Sequence, residues 1–169
     1  ITALRMSSVL VNDVLVAASS PVGSLTSLAT EGGEVIVVNG TDLGPSANRT
    51  LVNAVSFGGG SFVYSLQNCS FLIAHQQLQC LTPAGVGSGF RAQVSVMYQS
   101  SGQSSDVMSY RAPSISVASP SVIPTSGATV TLNGSSFGAA PEQISLFVNG
   151  VGSAVSLAVP HRGLQFRVD

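Results

Sequence analysis

Charge is the scarcest feature of this 169-residue sequence, because only 8% of its residues are charged and it contains no lysine. The six basic residues are all arginines scattered along the chain, and the formal net charge is −1. Binding to a nucleic-acid backbone requires clustered positive charge that neutralises several phosphates. The composition therefore disfavours a function in nucleic-acid binding.

Long apolar runs are missing as well, although hydrophobic residues make up 44% of the sequence. A membrane-spanning helix needs about 18 or more consecutive apolar residues. Every apolar stretch here is interrupted within a few positions by a polar residue or glycine. We therefore expect a core buried under a surface of Ser, Thr, Asn, Gln and Gly, and no membrane span in this segment.

The 3.6-residue apolar period of an amphipathic helix does not occur over any stretch of a dozen residues. Short segments of period-two alternation recur instead, each bounded by Gly, Pro, Asn or Ser, as in half-buried strands joined by turns. These segments are 34–38, 53–57, 62–66, 70–74, 92–98, 106–110, 114–118, 128–132 and 144–148. The sequence predicts an all-β protein.

An internal repeat indicates two related domains. Residues 33–44 read GEVIVVNGTDLG and residues 127–138 read GATVTLNGSSFG, which match at a constant offset of 94. Farther along, HQQLQC at 75–80 matches HRGLQF at 161–166 at an offset of 86. The chain is also longer than the roughly 100 residues of one immunoglobulin-like sandwich. A tandem arrangement follows from the repeat.

Strand alternation in the second copy predicts which residues face the core. Val130 and Leu132 must point inward if the polar residues between them are to reach solvent. By the repeat alignment, Ile36 and Val38 also point inward, whereas Asn39 points outward.

The two cysteines, Cys69 and Cys80, are spaced for either a bridge between neighbouring strands or two buried thiols. We favour the disulfide, because oxidised pairs persist in secreted proteins and the glycosylation triplets described below suggest secretion. The alignment places Val155 and Phe166 at the same two positions of the second copy, where an apolar pair replaces the bridge. Only His75 lies close enough to add a metal ligand, so we expect no metal site.

Several of these motifs together resemble the IPT/TIG family of immunoglobulin-like domains. The segment from Ala112-Pro113 to TVTLNGSSFG is similar to the start of such a domain, and LQCLTP followed by an alternating strand ending at Tyr110 is similar to the rest. The resemblance covers nearly all of residues 17–169. It implies tandem β-sandwiches at 14–112 and 113–169, the second lacking both cysteines and incomplete within this chain because it stops at Asp169 before the closing strands.

Four triplets match the N-glycosylation acceptor pattern, at Asn39, Asn48, Asn68 and Asn133. One triplet alone is weak evidence, since Asn-Gly also marks turns. The strand register, however, places Asn39 and Asn133 outward and Asn68 before an inward cysteine, and Asn48 lies in a predicted loop. We expect glycans on two or more of them, where they would solubilise a charge-poor surface and block strand edges.

Catalytic and cofactor motifs have ordinary structural explanations in this sequence. The glycine-rich segment 85–89 leads into a predicted strand rather than a helix, so it offers no phosphate cradle. His75 and His161 recur because a strand-turn recurs, and no nucleophile elbow accompanies them. The acidic residues lack the spacing of a calcium loop. We predict no enzyme activity, no cofactor and no metal.

The N-terminal residues 1–13 precede the first predicted domain and alternate like a strand. The repeat aligns Val14–Pro21 with Ser114–Pro120, which assigns 1–13 to the last strand of a neighbouring domain. Two versions follow: a longer covalent repeat array, or donation of this strand to the next subunit in a head-to-tail filament. The strand-donor candidates are Ile1, Leu4, Met6, Val9 and Val11.

The resemblance implies a function outside catalysis, because IPT/TIG domains occur in cell-surface receptors, in surface proteins and as non-catalytic modules of polysaccharide-acting enzymes. Our first hypothesis is a structural or adhesive glycoprotein at the cell surface, associated with copies of itself in a fibre or repeat array. The alternative is a carbohydrate-binding accessory module of a secreted polysaccharide-acting enzyme. An exposed row of aromatic residues would favour the alternative.

Overall fold

The computed structural model describes residues 5–11, 25–45, 52–59 and 62–168. Within these ranges the chain forms strands and a single turn of 3₁₀ helix at Pro141–Gln143, and no α-helix. The predicted all-β class is therefore confirmed. The chain divides into two compact units, one built mainly from residues up to Tyr110 and the other mainly from Arg111 onward.

The first unit contains two antiparallel sheets. Its strands are β1 Arg5–Val11, β2 Val35–Thr41, β3 Val52–Gly59, β4 Phe62–Ser65, β5 Gln67–Ile73, β6 Gln77–Leu81, β7 Phe90–Val96, β8 Gln99–Ser100 and β9 Val107–Met108. One sheet has the order β1-β2-β6-β5, and the other has the order β4-β3-β7-β8, with β9 also pairing with β7. This is the two-sheet arrangement of an immunoglobulin-like sandwich.

The core of the first unit is formed by the inward residues of both sheets. Ile36 and Val38 are completely buried, as the alternation predicted, and they pack with Leu78 from the same sheet. The facing sheet contributes buried residues such as Val94. Four rings, those of Phe57, Tyr64, Phe90 and Tyr110, form a cluster with centroids 5.3–6.4 Å apart. Each such pair adds about 0.5–1.5 kcal/mol beyond the burial of apolar area.

The second unit contains one four-stranded antiparallel sheet and one hairpin. Its strands are β10 Ser114–Ser119, β11 Ala128–Ser135, β12 Leu146–Val148, β13 Val151–Ser153, β14 Val155–Val159 and β15 Gly163–Val168. The sheet order is β10-β11-β15-β14, and β12 pairs with β13. The buried core comprises Val130, Leu132, Phe137, Leu164 and Phe166. Val130 and Leu132 thus lie where the sequence pattern placed them.

Strand β1 pairs with β2 of the first unit, so the structure differs from the expectation that residues 1–13 join a neighbouring domain. The register places Val9 opposite Val38, just as Ala118 lies opposite Leu132 in the β10–β11 pair. Pairing in cis satisfies backbone groups that an open edge of β2 would leave unpaired. Ile1, Leu4 and the aligned segment Val14–Pro21 lie outside the described residues.

Candidate functional site

Both copies contain the same strand-turn around a histidine. His75 and His161 adopt φ angles of 64° and 63°. Each donates its backbone N–H to a glycine carbonyl at 2.7 Å, that of Gly44 in the first unit and that of Gly138 in the second. Left-handed backbone is uncommon outside glycine, although histidine is among the residues enriched there. The repeated geometry supports a turn role for both histidines.

A β-bulge accounts for the glycine of the repeated Asn-Gly dipeptide. The register of β1 with β2 shifts between Met6 and Ser8, opposite Gly40 and Asn39. A Cβ added at the equivalent Gly134 of β11 would overlap the carbonyl oxygen of Ser114 on β10. The glycine therefore permits close approach of the edge strand, which is a typical reason for glycine at a bulge.

The corresponding bulge in the second unit has the same register. It shifts between Ile115 and Val117, opposite Gly134 and Asn133. The recurrence of this glycine in both copies thus has a structural cause.

The predicted disulfide is present in the structure. The Cys69 and Cys80 sulfur atoms are 2.02 Å apart, and the Cα atoms are 4.1 Å apart, so the bond joins β5 to β6. Cys80 is buried, and the half-buried Cys69 packs against the same core. In the second unit Val155 lies directly opposite Phe166 on β14 and β15, as the repeat alignment predicted.

The three described acceptor asparagines have different environments. Asn39 is half-buried on β2, between β1 and β6, and its Oδ1 atom is buried. Asn133 is exposed on β11. Asn68 is exposed on the edge strand β5, with a φ angle of 51°, where the register with β6 shifts. The fourth candidate, Asn48, lies outside the described residues.

Two buried serines were not singled out by the sequence analysis. Ser101 and Ser104 accept hydrogen bonds through Oγ from the backbone N–H groups of Val94 and Ala92, both at 3.0 Å. Each serine also donates its own N–H back to the same strand, at 2.8 Å. The serine hydroxyls therefore accept hydrogen bonds from backbone N–H groups of β7 where the neighbouring chain is not a regular strand. A serine in a polar segment gives no sequence signal for this role.

Tyr110, which follows β9, is hydrogen-bonded to the loop after β6. Its hydroxyl donates a hydrogen bond to the carbonyl oxygen of Pro83 at 2.8 Å. Burial raises the pKa of Tyr110 well above its ordinary value, with smaller contributions from Tyr64 and Glu34. The hydroxyl therefore remains protonated and serves as a structural donor.

Neither a group of clustered metal ligands nor a long apolar helix occurs in the described ranges. No three side chains among the described His, Cys, Asp and Glu residues are grouped to hold a metal ion. Among the same residues, none of the helices has the length and apolar character needed to cross a membrane. The polar groups with resolved contacts instead stabilise turns, bulges and strand edges.

Comparison with known proteins gives one family and several distant structures. The IPT/TIG domain model matches residues 18–111 and 113–169. No curated protein matches the chain. The plexin A4 extracellular region, with domains 1 to 8, is 16% identical with a TM-score of 0.45, covering 98% of this chain and 15% of its own. A protein crystallised with a xylogluco-oligosaccharide is 15% identical with a TM-score of 0.41, covering 98% of this chain and 34% of its own.

Proposed function

The chain belongs to the IPT/TIG family, and from that premise we propose that it is a non-catalytic structural or adhesive glycoprotein of the cell surface. The main observation behind this proposal is that residues of catalytic type, the two histidines, have the same structural role in both copies. His75 and His161 make equivalent turn hydrogen bonds in the two copies. The Cys69–Cys80 disulfide supports an oxidising compartment.

Of the two assembly versions, the pairing of β1 favours a covalent repeat array. β1 already fills the edge of β2, in the place that β10 holds beside β11. A strand committed to its own sheet is a poor donor to another subunit, because donation would reopen that edge. The array version needs no exchange of strands between chains.

Deletion of residues 1–11 distinguishes the two versions. If β1 belongs to its own domain, the deletion should destabilise the first unit, and the intact chain should sediment as a monomer. Concentration-dependent end-to-end oligomers of the intact chain, lost on deletion without loss of stability, would instead establish strand donation. Equilibrium sedimentation and denaturant unfolding of both chains provide the two measurements.

The carbohydrate-binding alternative receives less support from the exposed aromatic residues. Among the described residues, Tyr98 is 88% exposed and Phe62 is 43% exposed. Tyr98 lies in the turn between β7 and β8, whereas Phe62 lies on β4 at the opposite edge of the same sheet. Phe147, 67% exposed, lies in the second unit on β12. Within the first unit, Phe62 and Tyr98 therefore do not form the row on which a sugar chain would stack.

Surface location is tested on cells that produce the protein. Protease added to intact cells should cleave the protein, and cells should adhere to plates coated with the purified chain. Protection until the cells are permeabilised would refute the surface location. Retardation of the chain in gels containing a polysaccharide, abolished by Tyr98→Ala, would favour the carbohydrate-binding alternative.

A further inference from the structure

Strand β5 presents an open edge. It is the last strand in the order β1-β2-β6-β5 and pairs only with β6 among the described residues. At seven residues, β5 is much longer than the two-residue strands β8 and β9 at an edge of the other sheet. A long open edge offers unpaired backbone groups to a strand from another molecule.

The sequence of this edge makes pairing with another molecule favourable. Residues 69–74 read CSFLIA, with no charge and no proline. Leu72 and Ile73 are 45% and 46% exposed. Uncharged six-residue segments of high β-propensity are typical of aggregating strands. Natural edges are usually protected by charge, proline, bulges or a covering group, and the two register shifts of β5 provide only the bulges.

Asn68 is placed to supply the missing cover. It lies one residue before this segment, is exposed, and belongs to an acceptor triplet with Ser70. Its φ angle of 51° falls in the left-handed region, which asparagine tolerates better than most residues. We propose that Asn68 carries an N-linked glycan that shields the β5 edge from strand addition. The inference rests on the proposed function, because it requires passage through a secretory pathway.

The other described triplets are less suited to this role. Asn39 has a buried Oδ1 and lies on a strand with partners on both sides. Asn133 is exposed, but β11 also has partners on both sides, so a glycan there would cover no edge. The edge strand β14 of the second unit, equivalent to β5, has no acceptor triplet and is followed by Pro160 in the position of Ala74. Proline is an alternative way to protect an edge.

The test uses the chain secreted from eukaryotic cells, with two matched hydroxyl deletions. Ser70→Ala removes the Asn68 acceptor and Ser135→Ala removes the Asn133 acceptor, while Ser70→Thr preserves the former. Peptide mapping after amidase treatment should show Asn68 converted to Asp in the parent and in Ser70→Thr. Ser70→Ala should self-associate about tenfold more tightly, which corresponds to about 1.4 kcal/mol. Ser135→Ala should behave like the parent.

Trimming the native parent with an endoglycosidase that leaves one sugar provides a second measurement without any mutation. Trimmed parent should also self-associate more tightly. Equal association of trimmed and untrimmed protein would overturn the shielding role, even if Ser70→Ala fails to fold. An unmodified Asn68 beside other modified asparagines would overturn this inference and leave the proposed glycoprotein intact. Absence of any conversion would overturn both.

Discussion

In the first unit a disulfide joins β5 to β6 at the position where, in the second unit, Val155 lies opposite Phe166. The next residues along the strands pair alike, Ser70 with Gln79 and Ser156 with Gln165, although Cys69 itself lies within a register shift. Both pairs contribute to a core. The two copies therefore need inward, apolar groups that hold two strands together, and either a covalent or a hydrophobic pair meets that need. The two copies therefore share the positions of this pair of side chains and differ in the residue types that occupy them.

The comparison of the two units also explains why some residue types are the same in both copies. The bulge glycine and the left-handed histidine occur in both copies. Backbone constraints tolerate few residue types, whereas a buried pair tolerates any combination that fills the space. Sequence identity between the two copies is therefore easier to detect at turns and bulges than at core positions.

The largest effect should follow loss of the apolar pair in the second unit. Phe166 is 8% exposed, and Phe166→Ala should destabilise this unit by about 3–5 kcal/mol through lost burial and a cavity. Phe147, on β12, is 67% exposed. The matched control Phe147→Ala should change stability by less than about 0.5 kcal/mol. Hydrogen exchange of β11 and β15 amides measures both, and equal effects would refute the assignment of Phe166 to the core.

Replacing the covalent pair should have the next largest effect. The double substitution Cys69→Ala and Cys80→Ala should lower the free energy of unfolding of the first unit by about 2–3 kcal/mol, because the closed loop is short. All three tyrosines lie in this unit and the chain has no tryptophan, so tyrosine fluorescence during denaturant unfolding reports on it selectively. Labelling of both thiols in native, unreduced protein would show that no bond exists.

Much of this comparison was predictable from the sequence, because alternation and repeat offsets report directly on register. They identified Ile36 and Val38 as inward, the equivalence of Cys80 with Phe166, and the all-β class. The pairing partner of residues 5–11 was not predictable in the same way. Alternation predicts a strand but contains no information about which edge the strand joins.

The serine partners of β7 were also beyond sequence reasoning. The segment 106–110 was predicted as a regular strand, whereas the structure has β8 and β9 as short strands with Ser101 and Ser104 between them. A hydroxyl that replaces a backbone acceptor depends on the path of the chain, which period-two patterns do not describe. The segment between the predicted strands 92–98 and 106–110 therefore contains two buried hydrogen bonds that no sequence pattern indicated.

The smallest effect should come from Tyr110, whose contribution to stability depends on pH. This contribution is confined to the first unit, because residues 111–169 contain no tyrosine. Tyr110→Phe removes the hydrogen bond to the Pro83 carbonyl and should destabilise the first unit by about 1–2 kcal/mol at neutral pH. Burial raises the pKa of Tyr110 in the folded state. The folded protein therefore holds this proton more tightly than the unfolded chain, whose tyrosines titrate near pH 10. Stability from this group should be complete below about pH 10 and should fall as the pH rises further.

Denaturant unfolding followed by circular dichroism between pH 8 and pH 11 measures the decline. The parent should lose stability above about pH 10, and Tyr110→Phe should show a flatter profile, since it has no buried hydroxyl at this position to ionise. Tyr98→Phe is the matched control, because Tyr98 is 88% exposed and its removal should leave the parent profile unchanged. If Tyr110→Phe declines as steeply as the parent, another group causes the alkaline loss, and Tyr110 contributes packing alone.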